Sequence, residues 1–129
     1  MRKNVETVTY SRNIFIPLTN ACRNRCAYCG FRSANPVLLK PSEVKEIISK
    51  GKNASEALFT FGEKPEVHPE IKKALHELGY SDFISYVVEM NKLAISLNLL
   101  PHTNAGVLRK EEMPSWQSYT PEIKASWKM

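Results

Sequence analysis

The chain lacks strong charge clustering and long apolar runs. No stretch of its 129 residues carries five like charges in succession, and the basic residues behind its net charge of +5 are scattered. This excludes a dedicated basic or acidic tail, so we expect no nucleic-acid partner. The N-terminal residues have no apolar core of the signal-peptide type, and no window approaches the roughly 18 apolar residues that a membrane helix needs. We therefore predict a cytoplasmic protein with no membrane partner.

Cysteine is also scarce, and its distribution is uneven. The three cysteines are Cys22, Cys26 and Cys29, in a CxxxCxxC pattern with Tyr28 directly before the last one. One disulfide would leave a thiol over, and clustered thiols in a reducing compartment are more typical of metal or redox sites than of structural cross-links. A metal centre with one coordination position left open by the protein accounts for all three. We interpret the stretch as an iron–sulfur cluster loop with a substrate-binding iron.

Two other uses of the cysteines stay open. Structural zinc would need a fourth ligand, and the histidines that could supply it are distant in the sequence. They are His68, His76 and His102. A redox-active pair of Cys26 and Cys29 would leave Cys22 without a role.

The order of the apolar runs predicts an α/β fold. Hydrophobic residues make up 43% of the chain and charged residues 24%, as in a globular domain. Short runs rich in β-forming residues alternate with segments of helical periodicity, which favours parallel strands with right-handed crossovers. The predicted strands are Ile14–Leu18, Glu56–Phe61 and Asn98–Asn104. The first predicted helix begins at Pro41, and the second covers Pro69–Leu78. A third follows Ser81 as its N-cap, and another opens at Lys110–Met113.

Helical spacing also predicts which side chains face the core. In the helix after Pro41, one face carries Val44, Ile47 and Ile48. In the helix after Ser81, apolar residues recur at spacings of four and three and are expected to point inward. They are Phe83, Val87, Met90, Ala94 and Leu97.

The chain is short for a closed barrel of alternating strands and helices. Such a barrel takes about 250 residues, whereas the pattern here supplies about three strand–helix units. The fold is then either a small open sheet or part of a larger barrel. Trp116–Met129 shows no strand pattern and no amphipathic face, so we expect this tail to be poorly packed.

The cysteine motif resembles that of the radical S-adenosylmethionine (SAM) enzymes, in which it follows the first strand of a β/α (TIM-type) barrel. Longer strings are similar to one branch of that family, the lyases that close the ring of a deazaflavin coenzyme. These strings are Thr9–Asn20, Cys29–Arg32, Ala57–Glu66 and Leu100–Gly106. The resemblance runs from about Val8 to about Glu112 and covers only the N-terminal part of such an enzyme, so we expect residues 1–113 to form part of a radical SAM barrel and 114–129 a divergent tail. A truncated or frame-shifted gene product is the simplest explanation.

The resemblance implies a set of site residues. Cys22, Cys26 and Cys29 would ligate a 4Fe-4S cluster, and SAM would bind its remaining iron. Gly62 and Glu63 match the turn that contacts the SAM amino group, although Phe61 stands where a glycine is common. Tyr28 would pack by the adenine, and His102 is a candidate for proton transfer. Without the resemblance, an exposed turn carboxylate, a packing aromatic and a structural histidine are the alternatives for Glu63, Tyr28 and His102.

The resemblance further implies a reaction and partners. The reaction is the conversion of 5-amino-5-(4-hydroxybenzyl)-6-(D-ribitylimino)uracil to a deazaflavin with loss of ammonia. An external electron donor is required, and a sister radical SAM subunit would supply the substrate. The alternatives are a non-catalytic iron–sulfur or zinc binding module, or the sister subunit itself. Because a partial barrel exposes strand edges and apolar surface, we expect the chain alone to be poorly stable and inactive, or to need the missing portion in trans.

Overall fold

The structure is a computed structural model that describes residues 7–51 and 53–112, and the backbone of residues 122–123. The strands are β1 (Asn13–Thr19), β2 (Glu56–Phe61), β3 (Leu100–Asn104) and β4 (Glu122–Ile123). The helices are α1 (Pro41–Lys50), α2 (Pro69–Glu77) and α3 (Phe83–Ser96), and short 3₁₀ turns cover Pro65–Val67 and Lys110–Glu112. The α/β class and the three predicted strands are confirmed, with the third strand beginning at Leu100 instead of Asn98.

The strands form one parallel sheet in the order in which they occur in the chain. Glu56 at the start of β2 lies opposite Asn13 of β1 and Leu100 of β3. The register shifts between Pro17 and Thr19 at the end of β1. Such a shift is typical of a β-bulge, which bends a strand, and the cysteine loop follows it directly. Sequential strand order is typical of a β/α barrel, because a doubly wound sheet reverses its order at a switch point.

The first two helices begin and end as their sequences predict. The Lys40 backbone N–H donates to the Glu43 carboxylate (2.7 Å) at the start of α1, where Pro41 occupies the first helical position. Pro69 has the same position in α2. Gly79 follows α2 with a φ of 87°, in the left-handed region that glycine adopts without strain.

Helix α3 differs from the prediction at both ends. Its N-cap is Asp82 instead of Ser81, because the Asp82 carboxylate accepts a hydrogen bond from the Ser85 N–H (2.7 Å). Leu97 was expected inward, but it lies beyond the last helical turn and is 37% exposed. The predicted inward positions Phe83 and Val87 are buried.

The remaining differences concern the end of the chain. Where a helix was predicted to open at Lys110–Met113, the described residues Lys110–Glu112 form a 3₁₀ turn, and Met113 lies outside the described residues. No strand was expected in the tail, but Glu122–Ile123 pairs in parallel with His102 and Thr103. Apart from that pair, the predicted poor packing of residues 114–129 lies outside the described residues.

The helices cover one face of the sheet, where the core lies. Alternate strand residues are fully buried on this face, and the three helices add most of the remaining core. The strand residues include Ile16, Leu18, Ala57, Phe59 and Thr103, and the helix residues include Val44, Ile71, Leu75 and Val87. On the opposite face Phe15 is 53% exposed, and Leu58 and His102 are half-buried. In a closed barrel this second face would line the interior.

Among the described residues, no helix is both long enough and apolar enough to cross a membrane.

Candidate metal and cofactor site

The cysteine loop is closed at its base by backbone pairing. Thr19 and Leu38 form an antiparallel bridge, and the Leu39 N–H donates to the Leu18 carbonyl (2.8 Å). Inside the bridge, the Asn20 side chain accepts from the Val37 N–H (2.9 Å). Helix α3 contacts the base of the loop as well, because the hydroxyl of the buried Tyr86 donates a hydrogen bond to the Leu39 carbonyl. The loop therefore leaves the sheet and returns at one place.

Cys22 lies against the turn that follows β2. The Glu63 N–H donates to Cys22 Sγ (3.2 Å), and the Arg23 N–H donates to the Glu63 carbonyl (2.9 Å). These two bonds join residues that are 41 and 40 positions apart. The predicted SAM turn and the first predicted cluster ligand are therefore in direct contact.

Gly62 makes this contact possible. A Cβ atom on Gly62 would lie 1.9 Å from the Ala21 carbonyl oxygen and 2.4 Å from Cys22 Cβ. Both distances are far shorter than van der Waals contact, so a larger residue would push the loop away. Glycine is thus required here by close backbone approach.

The carbonyl of Cys22 has two side-chain donors. His68 Nε2 lies 3.2 Å from this oxygen and Arg32 Nε lies 3.5 Å from it. A carbonyl oxygen only accepts, so the histidine contact requires a hydrogen on Nε2. Cys22 is therefore held at both its sulfur and its backbone.

The Glu63 carboxylate is directed at the cysteine loop. One of its oxygens accepts from Asn24 Nδ2 (2.5 Å) and lies 3.4 Å from Arg23 Nε. Partial burial raises the pKa of Glu63, but the Asn24 amide, the Arg23 guanidinium and the Val107 N–H outweigh it, so the pKa lies below its ordinary value. Glu63 is ionised at neutral pH and is not a free turn residue.

Cys26 and Cys29 are exposed on the outer part of the loop. The Cys29 N–H donates to the Cys26 carbonyl (3.1 Å), which forms a tight turn between them. Backbone N–H groups of Arg32 and Phe31 lower the pKa of Cys29 below its ordinary value. A hydrogen bond to Cys26 raises the pKa of Tyr28, whose ring is 92% exposed.

The three thiols share one loop but do not meet at a point. In the part of the chain that the structure describes, no three His, Cys, Asp or Glu side chains lie close enough together to hold one metal ion. The donor chemistry fits an iron–sulfur cluster, because each sulfur has a hydrogen-bonding group beside it: the Glu63 N–H, the Tyr28 hydroxyl, and the N–H groups of Phe31 and Arg32. Hydrogen bonds to ligand sulfurs are among the features by which proteins adjust such clusters.

His102 lies away from the loop. It was expected at the rim together with Thr103 and Asn104, but it occupies the middle of β3, with Nδ1 3.8 Å from Glu56 Oε2 on the less covered face. Thr103 points to the opposite face and donates to Asn91 Oδ1 of α3 (3.1 Å). The expectation that these side chains face one rim is therefore wrong, because successive strand residues alternate between faces.

Sequence reasoning gave Asn24 no role and considered His68 only as a possible zinc ligand. Glu56, which lies beside His102 at the start of β2, was also given no role. Asn24 and Glu56 carried no local signal, since their partners are distant in the sequence. His68 did carry one. It occupies the N-cap position before Pro69, where Ser, Thr, Asp or Asn would be usual, and its side chain does not cap the helix.

Comparison with known proteins identifies a family for this chain. Residues 16–119 match the family model described as Radical SAM superfamily. Several curated relatives bear the name 7,8-didemethyl-8-hydroxy-5-deazariboflavin synthase. The one from Archaeoglobus fulgidus is 54% identical over 116 residues, covering 89% of this chain and 36% of that protein. The one from Methanococcoides burtonii is 50% identical over 114 residues, covering 84% and 34%.

The similarity continues into the tail. The resemblance predicted from the sequence ended at about Glu112, but the family match reaches residue 119. A relative from Methanococcus maripaludis strain C6, with the same printed name, is 42% identical over 128 residues, or 97% of this chain and 35% of that protein. The chain thus spans about a third of the length of the curated relatives it matches. Because the family match covers most of its residues, the chain belongs to the radical SAM superfamily.

Proposed function

We propose that this chain carries the cluster- and SAM-binding part of a lyase that forms 7,8-didemethyl-8-hydroxy-5-deazariboflavin. The substrate would be 5-amino-5-(4-hydroxybenzyl)-6-(D-ribitylimino)uracil, and ammonia would be lost. The names of the relatives favour this reaction over that of the sister subunit. A location in the cytoplasm, an external electron donor and delivery of the substrate by a sister subunit belong to the same proposal.

One observation carries the proposal: the turn after β2 contacts the cysteine loop through both the backbone and the side chain of Glu63. A cofactor that binds a cluster iron must also be held by groups beside the cluster. Glu63 supplies a negative charge there, and Gly62 leaves room for the backbone. Gly62 and Glu63, which the resemblance assigns to SAM binding, are thus next to Cys22, which it assigns to iron binding.

The residues of the chain have distinct proposed roles. Cys22, Cys26 and Cys29 would hold a 4Fe-4S cluster, Glu63 would bind the cofactor's ammonium group, and Tyr28 would cover its adenine. When bound, such a cluster would supply one electron for the reductive cleavage of SAM, the chemistry that would allow a hydrogen atom to be removed from substrate. Arg23 and Asn24 hold the Glu63 carboxylate in place.

His102 is proposed to handle a proton during the loss of ammonia. It lies on the face of the sheet that would line a barrel, and Glu56 is beside it. A histidine at neutral pH can donate or accept a proton, which suits expulsion of an amine.

The proposal is tested by anaerobic reconstitution of the chain with iron and sulfide. We expect a broad brown absorbance and an EPR signal that changes when SAM is added. Cys26→Ala should lose this absorbance, whereas Val37→Ala, an exposed position in the same loop, should keep it. Zinc in place of iron, or a cluster whose signal ignores SAM, would instead favour a non-catalytic binding module.

A further inference from the structure

His68 is an unusual residue for the position it occupies. Its backbone begins α2: the Ile71 and Lys72 N–H groups both donate to its carbonyl (3.1 and 3.0 Å). An N-cap side chain normally accepts a hydrogen bond from the helix, but that of His68 makes no such bond. His68 therefore departs from the usual preference for a capping side chain at this position, and departures of this kind are common at functional sites.

The imidazole instead reaches the cysteine loop. His68 Nε2 lies 3.2 Å from the Cys22 carbonyl oxygen, across a separation of 46 residues. The same cysteine accepts the Glu63 N–H at its sulfur. Cys22 is half-buried, whereas Cys26 and Cys29 are exposed. One of the three thiols is thus fixed by the elements after β2, and the other two are not.

We propose that His68 is a positioning residue for Cys22. Its Nε2–H fixes the Cys22 backbone to the start of α2, so that the first ligand is in place before the cluster is bound and stays in place afterwards. This inference rests on the proposed function for the role of Cys22 as an iron ligand. Groups that orient ligands in this way commonly influence the affinity of a metal site.

Substitutions at His68 separate the contact from the helix cap. His68→Gln retains an N–H donor at about the distance of Nε2, so it should preserve the contact. His68→Asn is a better N-cap than histidine but is one methylene too short to reach the Cys22 carbonyl. His76→Asn, on the exposed face of the same helix, is the matched control. Circular dichroism verifies that each variant is folded.

The first readout is the alkylation rate of each cysteine in the cluster-free chain, measured by peptide mass spectrometry with iodoacetamide. In the unmodified chain Cys22 should react more slowly than Cys26 and Cys29. His68→Asn should raise the Cys22 rate by about fivefold, which corresponds to one lost hydrogen bond. His68→Gln and His76→Asn should leave the rate unchanged.

The second readout is the retention of iron by the reconstituted chain in the presence of a chelator. His68→Asn should lose iron faster than the unmodified chain, whereas His68→Gln should not. The inference is overturned if His68→Asn matches the unmodified chain in both readouts, or if Asn and Gln have the same effect. Failure of the unmodified chain to take up iron would contradict the proposed function, and the alkylation rates would still decide whether His68 holds Cys22.

Discussion

Glu63 has separate uses for its backbone and its side chain. The backbone N–H contacts Cys22 Sγ, and the carboxylate contacts Asn24 and Arg23. Partial burial opposes the charge, but the donors around the carboxylate outweigh it and hold the pKa of Glu63 below its ordinary value. Glu112 behaves in the same way beside Arg109 and Lys64.

The lowered pKa of Glu63 predicts a pH dependence of stability. The unfolded chain binds a proton at this carboxyl more readily than the folded chain, so stability rises with pH in this range. The contribution of the Glu63 carboxylate to the free energy of unfolding should be complete above the ordinary pKa of 4.5. It should be lost as the pH drops through the lower folded-state value. Glu63→Gln should lower the free energy of unfolding by about 1 kcal/mol at neutral pH, and this difference from the unmodified chain should disappear in acid. Urea denaturation at a series of pH values measures both.

Glu46→Gln is the control, because the ion pair of Glu46 with Lys50 is exposed. Its effect should be below about 0.5 kcal/mol. A pH profile of Glu63→Gln that parallels the unmodified chain would show that the carboxylate contacts do not stabilise the fold.

At the scale of elements, the cysteine loop and the β2–α2 turn depend on each other. The loop begins after the register shift at the end of β1 and returns beside Leu38. The turn contacts it at Gly62, Glu63 and His68. Neither segment has regular structure over this contact, so its geometry is maintained by packing and a few hydrogen bonds.

Gly62→Ala should separate the two elements. The new Cβ would meet the Ala21 carbonyl oxygen at 1.9 Å, and relief of that overlap should cost about 1 to 3 kcal/mol. Iron uptake on reconstitution should fall as well, because Cys22 would move. Gly30→Ala has nothing within 4 Å of its Cβ and should change stability by less than about 0.5 kcal/mol. Equal stability of the two variants would show that the loop adapts without cost.

Helix α3 and strand β3 share a buried polar pair. Thr103 and Asn91 are both fully buried, and the Thr103 hydroxyl donates to Asn91 Oδ1. The Asn91 amide nitrogen has no hydrogen-bond partner among the described residues. The pair therefore fixes the position of α3 on the sheet but contributes less than a fully satisfied contact would.

A double-mutant cycle measures this pair. Asn91→Leu should cost about 1 to 3 kcal/mol, because the Thr103 hydroxyl would be left buried without an acceptor. Combining it with Thr103→Val should recover most of that loss. Additive costs in urea denaturation would indicate that the hydroxyl finds another partner.

At the scale of the whole molecule, the sheet has two unlike faces. Helices bury one face around Phe59, whereas the other leaves Phe15 53% exposed. In a closed barrel, side chains from further strands would fill the space over Phe15. The sequence-based expectation of low stability for this chain follows from the same one-sided cover and stays a prediction.

Replacing a phenylalanine by alanine should lower the free energy of unfolding by different amounts on the two faces of the sheet. Phe59→Ala should lower the free energy of unfolding by about 3 to 5 kcal/mol, or prevent folding, because its ring is fully buried. Phe15→Ala should cost less than about 1.5 kcal/mol, because much of its ring is already in water. Chemical denaturation measures both variants. A large loss for Phe15→Ala would show that something covers this face in solution.

Local patterns predicted the elements well because their signals lie within a few residues. Glu56–Phe61 was predicted with both ends correct, and α1 begins at Pro41 as expected. The predictions failed where two adjacent residues could both cap helix α3, and at the C-terminal end of that helix. Asp82 caps α3 instead of the adjacent Ser81, and Leu97 lies past the final turn. The rim position expected for His102 failed because His102 lies in the middle of β3 and successive strand residues alternate between faces.

The sequence by itself determined the cysteine loop, the alternation of strands and helices, and the resemblance to radical SAM enzymes, because spacing and periodicity are properties of the chain. Only the tertiary structure decided which residues meet the loop. The contacts of Cys22 with Glu63 and His68 join segments more than 40 residues apart, and no local pattern contains them. The need for glycine at Gly62 likewise comes from the approach of Ala21, which depends on how two distant segments pack.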